Sequence, residues 1–238
     1  MYGKWCRPNY NSAIATFCHN ISRGLEITVN NRETVLTVVY IDDVVNAFIN
    51  AVDKNAQRDE NGYCIVPVED KITLGEIVDT LYSFKQSRQT LSVADMNRGV
   101  IKKLYSTYLS YLPETDFAYD LKMNTDSRGS FTEFIRTNGQ GQVSVNISKP
   151  HIVKGNHWHH TKNEKFLVVK GEGVIRFRKV GCNEIIEYRV NGDKLTVVDI
   201  PCGYTHNIEN VGEDDMVTIM WANEPFDKNN PDTFYEEV

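Results

Sequence analysis

Apolar residues in Ile41–Lys54 (Val44, Val45, Phe48, Ile49 and Val52) recur at three- and four-residue steps, which predicts a half-buried amphipathic helix. The stretch before it, Val35–Ile41, is apolar and β-branched and predicts a strand, and Asp42 and Asp43 then place negative charge where a helix N-terminus favours it. Thr73–Leu74–Gly75–Glu76 has the spacing of a capping box, and Leu74, Ile77, Val78, Leu81 and Tyr82 continue at helical period. A further helix is expected over Asn97–Leu112, with Val100, Ile101, Leu104, Tyr108 and Leu112 on one side and Pro113 ending it.

Beyond Pro113 the pattern shortens. Gln142–Ser148, Phe166–Lys170, Val174–Arg178, Ile185–Val190, Leu195–Ile200 and Met216–Trp221 each suit a strand, with turn residues such as Asn191–Gly192–Asp193 between them. Strands at this spacing point to a sandwich or barrel. The change of texture places a domain boundary near 112–116, giving units of residues 1–113 and 114–238.

Composition narrows the class without fixing it. Hydrophobic residues at 41% and charged residues at 24% of 238 are ordinary for a globular chain. No apolar run approaches the ~18–20 residues that cross a bilayer. The net charge of −6 falls entirely after Pro113, where 20 acidic residues face 14 Lys and Arg. No basic patch interleaved with aromatics exists, which argues against nucleic-acid binding. Five cysteines (Cys6, Cys18, Cys64, Cys182 and Cys202), odd in number and with no CxxC, together with no secretory pattern at Met1–Trp5, lead to the expectation of a reducing, cytoplasmic setting.

Candidate chemistry concentrates in the histidines. Five of six lie after residue 150, three of them in His157–Trp158–His159–His160. On a strand, positions i and i+2 share a side, so His157 and His159 project together. Glu164 follows at a distance that lets the chain return a carboxylate to them, and His206, at the end of the Pro201–Cys202–Gly203 turn, is the best fourth ligand. Imidazoles with one carboxylate suit a divalent first-row metal, with zinc the default. An isolated HxH is common by chance; the added carboxylate and later histidine raise the metal reading above it.

These residues carry a family resemblance. His157–Gly171, reading HxHxxxxE then six residues and Gly, and Gly192–Asn210, reading GxxxxxxxxPxGxxHxxxN, resemble the two motifs of the cupin superfamily, which implies metal held by His157, His159, Glu164 and His206 inside an all-β jelly roll. Asp126–Glu133 (DxRGxFxE), Asn146–Ile147–Ser148 and Lys154–Gly155–Asn156–His157 resemble the nucleotide-sugar 3,5-epimerases of the rhamnose pathway, which implies that His157 removes a proton beside a ketone. The two roles of His157 conflict, because one nitrogen cannot hold a metal and accept a proton. Tyr204 and His160 are candidates for the returning acid, and Arg128 and Lys154 for pairing with a diphosphate.

In the first part, Val39–Val45 and Tyr2–Pro8 resemble segments of the substrate-binding half of extended short-chain dehydrogenases. Neither a phosphate-cradling glycine loop nor a plausible YxxxK accompanies them. The fold expected is therefore an α+β remnant of a Rossmann-type short-chain dehydrogenase domain, lacking the nucleotide-binding half, followed by the cupin jelly roll. Together the halves are similar to bifunctional reductase–epimerases of capsular polysaccharide and O-antigen biosynthesis. That resemblance implies a UDP-linked 4-keto sugar epimerised at C3 by the cupin, and reduction at C4 with NADPH in the full-length enzyme, NADPH not being expected to bind this chain. A homodimer is expected, with no membrane or nucleic-acid partner. Two other classes stay open: a metal-bearing cupin that only stabilises a dimer through its edge strands, and an iron-dependent cupin dioxygenase.

Overall fold

The computed structural model describes residues 1–238 apart from 54, 138 and 140. In chain order the elements are α1 (Ala13–Ser22), β1 (Val35–Val38), α2 (Ile41–Val52), β2 (Asp70–Thr73), α3 (Leu74–Thr90), β3 (Ser92–Val93), α4 (Gly99–Leu109), β4 (Asn124–Asp126), β5 (Gly129–Thr137), β6 (Gly141–Ser148), β7 (Val153–Trp158), β8 (Glu164–Lys170), β9 (Glu172–Lys179), β10 (Ile185–Asn191), β11 (Val197–Ile200), β12 (Tyr204–Asn210), β13 (Met216–Ala222) and β14 (Phe234–Tyr235). They form two compact units: Met1–Thr90 with Ala94–Tyr119, and Leu91–Val93 with Asp120–Val238.

In the first unit, the apolar stripes of α1 (Ile14, Phe17, Cys18, Ile21), α3 (Ile77, Val78, Leu81, Phe84) and α4 (Val100, Ile101, Leu104, Tyr108) meet in one core. The capping box at α3 forms reciprocally: Glu76 N donates to Thr73 Oγ1 at 3.1 Å, and Thr73 N donates to Glu76 Oε2 at 3.0 Å. The expected strand ends at Val38 because Tyr40 caps α2 and Ile41 begins it. The α2 stripe needs correction. The helix forms, but Val45, Phe48, Ile49 and Val52 are exposed and α2 buries no residue, because period reports amphipathicity and not what lies against it. Lys54, the expected end of that helix, lies outside the described residues. The segments Tyr2–Pro8 and Val39–Val45 are brought together: Tyr2 N donates to Val39 O at 3.0 Å and Ile41 N to Tyr2 O at 2.8 Å.

The second unit is a cupin-like double-sheet β domain. One sheet has the order β10-β9-β12-β7-β14 and the other β11-β8-β13-β6-β5-β3, with β4 on β5. Phe166, Val168 and Met216 from the second sheet pack with Ile175, Phe177, Val190 and Ile208 from the first, so the sheets are apposed through an apolar core. Among the described residues of this unit, the strand pairings are antiparallel except that of β3 with β5. Among the described residues no helix is long and apolar enough to cross a membrane.

Candidate metal centre

Four side chains converge beside that core. His157 lies on β7 opposite His206 on β12 in direct register, His159 follows the end of β7, and Glu164 opens β8. Potential ligand atoms of the four all lie within 4.8 Å of one another. The ring centroids of His157 and His206 are 4.7 Å apart, and those of His159 and His206 5.4 Å. Glu164 Oε2 sits 3.3 Å from His206 Nε2 and 3.5 Å from His159 Nε2. All three atoms are buried, yet their alignment makes no hydrogen bond.

Buried polar atoms without partners cost free energy, and three aimed at one another cost more. A divalent cation accepts electron pairs from all three, and the donor set of neutral imidazole and carboxylate suits it. The other ring nitrogens are already used. His159 Nδ1 donates to the backbone carbonyl of Asp232, and His206 Nδ1 lies 3.4 Å from Tyr204 O. Such partners leave Nε2 unprotonated and directed inward.

Electrostatics keep the set in its ligating form. Burial, reinforced by His206, pushes the His157 imidazole down to about 4, so it is neutral near pH 7. Burial works against ionisation of Glu164, whereas the Lys162 ammonium beside it favours the carboxylate. Lys162 Nζ is 3.4 Å from Glu164 Oε1.

His157, Glu164 and His206 open onto a cavity of about 500 Å³, also lined by Arg128, Lys154 and Lys162. That size suits a small organic ligand. Its floor includes Gln142, Ser144 and Asn146, the buried polar face of β6. Lys154 Nζ donates to Asn146 Oδ1 and Ile147 O, both at 2.8 Å, and burial lowers its pKa. Arg128 lies 2.6 Å from Asp126.

Two residues expected at the site are placed elsewhere. His160 is exposed, its ring against Trp158 and Phe234, as alternation with His159 dictates. Tyr204 packs on the apolar core and does not line the cavity. Conversely, Lys162 and Asp232 were not singled out from the sequence. Lys162 stands between two ligand positions, a signal available in HHTKNE, whereas nothing local marks Asp232.

Comparison with known proteins places this geometry. The family model described as polysaccharide biosynthesis C-terminal domain matches residues 124–234. The chain is 46% identical over 235 residues to a UDP-2-acetamido-2,6-beta-L-arabino-hexul-4-ose reductase of Pseudomonas aeruginosa, covering 98% of this chain and 62% of that protein. It is 64% identical to the capsular polysaccharide assembling protein CapF of Staphylococcus aureus, with a TM-score of 0.96 over 100% of this chain and 64% of that one. A crystal structure of CapF with the inhibitor 3-isopropenyl-tropolone matches at 64% identity with a TM-score of 0.97, over 100% of this chain and 68% of that one. The chain thus spans 62% and 64% of the first two relatives.

Proposed function

From the membership of this chain in the CapF family, we propose that its β unit inverts C3 of a UDP-2-acetamido-2,6-dideoxy-4-ketohexose in capsular nucleotide-sugar biosynthesis. The observation that carries this reading is the convergence of three buried, unpartnered donor atoms beside a neutral imidazole on the wall of one cavity. His159, Glu164 and His206 would hold a divalent metal, zinc by ligand preference, and three protein ligands match the usual catalytic arrangement. A cation bound there supplies Lewis-acid polarisation of a substrate oxygen.

The chain's own groups do the rest. A 4-ketone acidifies the proton on C3, and the neutral imidazole of His157 accepts it. The Lys162 ammonium stands beside Glu164 and favours negative charge developing on the sugar. Solvent water returns a proton to the opposite face, which inverts the centre, and the His157 imidazolium releases its proton to solvent. Arg128 and Lys154 meet the diphosphate. One observation favours a second reading: the His157 nitrogen is itself within 4.8 Å of the other ligand atoms, which suits a fourth ligand.

The first unit, whose two dehydrogenase-like segments are hydrogen-bonded at Tyr2, Val39 and Ile41, belongs in this scheme to a reductase domain. That domain reduces C4 with NADPH in the full-length protein. A homodimer is the assembly expected. The test is deuterium incorporation at C3 when metal-loaded protein meets the UDP-keto sugar in D2O; no incorporation overturns the epimerase reading. His157→Ala separates its two roles. Retained metal with lost exchange assigns the base, and lost metal assigns the ligand.

A further inference from the structure

We propose that Asp232 is a positioning residue for the metal centre, clasping the loop between two ligands and presenting His159 in the tautomer that binds; this rests on the metal reading above. One Asp232 carboxylate oxygen accepts from His160 N at 2.9 Å. The other accepts from Thr161 N at 2.7 Å, Lys162 N at 2.9 Å and Thr161 Oγ1 at 3.1 Å. Every backbone N–H from residues 160 to 162 is thereby satisfied by one side chain. These three residues begin the link from His159 to Glu164, so the carboxylate fixes its course.

The same residue acts on His159 directly, through its backbone. Its carbonyl accepts the His159 Nδ1 proton. An imidazole held this way keeps its proton on Nδ1 and its lone pair on Nε2, the nitrogen that faces Glu164. The carboxylate of the same residue, anchored in the loop, helps hold that carbonyl in place. The segment around Asp232 is tied down as well. Phe234 and Tyr235 pair with Trp158 and His157, the Phe234 ring stacks on Trp158 with centroids 4.8 Å apart, and Glu236 N donates to Asn156 O at 3.0 Å. Asp232 thus supports the metal site although it contributes no ligand.

The test compares Asp232→Ala, Asp232→Asn and Tyr235→Ala with the unaltered full chain. Tyr235 lies on the same segment with its side chain exposed. Zinc affinity is read by chelator competition, and the His159 tautomer by ¹⁵N NMR of the metal-free protein. Asp232→Ala should weaken zinc about 10–100-fold, the usual effect of losing a partner behind a ligand, and turn a single Nδ1–H tautomer into a mixture. Asp232→Asn, which retains the side-chain oxygen facing Thr161 and Lys162, should fall between, and Tyr235→Ala should match the unaltered protein. Should the Ala variant not fold, Asp232→Asn against Tyr235→Ala carries the comparison. Unchanged affinity and tautomer in the Asp232 variants overturn the clasp, as does an equal loss in Tyr235→Ala. An unaltered chain that takes up no zinc overturns instead the metal reading beneath it.

Discussion

Gly155 offers a sharp test of how the two ligand-bearing strands are held. It lies on β7 two residues before His157, with φ of 105°, and pairs with Asn207 on β12 next to the register shift at His206. A Cβ there would stand 2.8 Å from the His206 carbonyl oxygen and 3.0 Å from Asn207 Cα. Both contacts are with backbone, so no side-chain rotation relieves them. Gly155→Ala therefore incurs a left-handed backbone penalty of roughly 1–2 kcal/mol and an overpacking penalty of about 1–3 kcal/mol. Gly181→Ala is the control, because its φ is 80° and nothing lies within 4 Å of its added Cβ; it bears only the first penalty. Calorimetry should show Gly155→Ala melting roughly 3–9 °C below Gly181→Ala, taking ~3 °C per kcal/mol for a domain of this size. Zinc affinity should fall in the same variant, since the displaced atom belongs to His206. Equal melting of the two variants would refute the close approach of β7 and β12 on which the placement of His157 against His206 depends.

His159→Ala and His206→Ala should each release the metal, whereas Arg128→Ala should retain it and weaken only nucleotide binding; elemental analysis and UDP titration check both halves. In the metal-free protein, the His157 pKa is about 4 against an ordinary 6.5, so folding disfavours the protonated ring. The resulting stability is fully present above pH 6.5 and is lost as pH falls towards 4, on the order of 3 kcal/mol in all; urea unfolding across that range should show it, and His157→Gln should flatten it. Thr73→Ala removes the capping box of α3 and should cost about 1 kcal/mol in urea unfolding, with the β-unit metal affinity unchanged.

What the sequence disclosed follows from how local each signal is. The α3 cap and the strands from β8 to β11 depend on neighbours within a few residues, and period and turn chemistry find them. β6 was found as a strand, but its pattern conceals its role. Gln142, Ser144, Asn146 and Ser148 are buried while Val143, Val145 and Ile147 are less so, the reverse of an apolar core face, because the inner side of this strand floors a polar cavity. The four ligand candidates were legible because His is scarce, at six in 238 residues, and the spacing of these histidines and Glu164 is distinctive. Their assembly was not, since the pairing of His157 with His206 is a register between distant strands. Asp232 was invisible for the same reason, lying 73 residues from the imidazole it holds. The exposed stripe of α2 shows the opposite limit, a strong local signal with no buried counterpart.

The cations of the cavity fall into two groups, and their partners distinguish what each can do. Lys162 interacts with Glu164 and with His157, at the ligand cluster. Lys154 interacts instead with Asp126 and Arg128. Arg128 is already neutralised by Asp126 at 2.6 Å, so an anion must compete for it. Lys154 makes no ion pair among the described residues; it is held by the neutral oxygens of Asn146 and Ile147, and its lowered pKa records charge kept in a partly desolvated place. An anionic group arriving there would relieve that cost, whereas at Lys162 it would have to displace Glu164. Under the proposed function, the diphosphate would therefore sit with Lys154, leaving the keto sugar to reach His157. On that layout Lys154→Met should raise KM for the UDP-sugar while metal content stays unchanged, and a fall in kcat alone would place Lys154 at the reacting carbon instead.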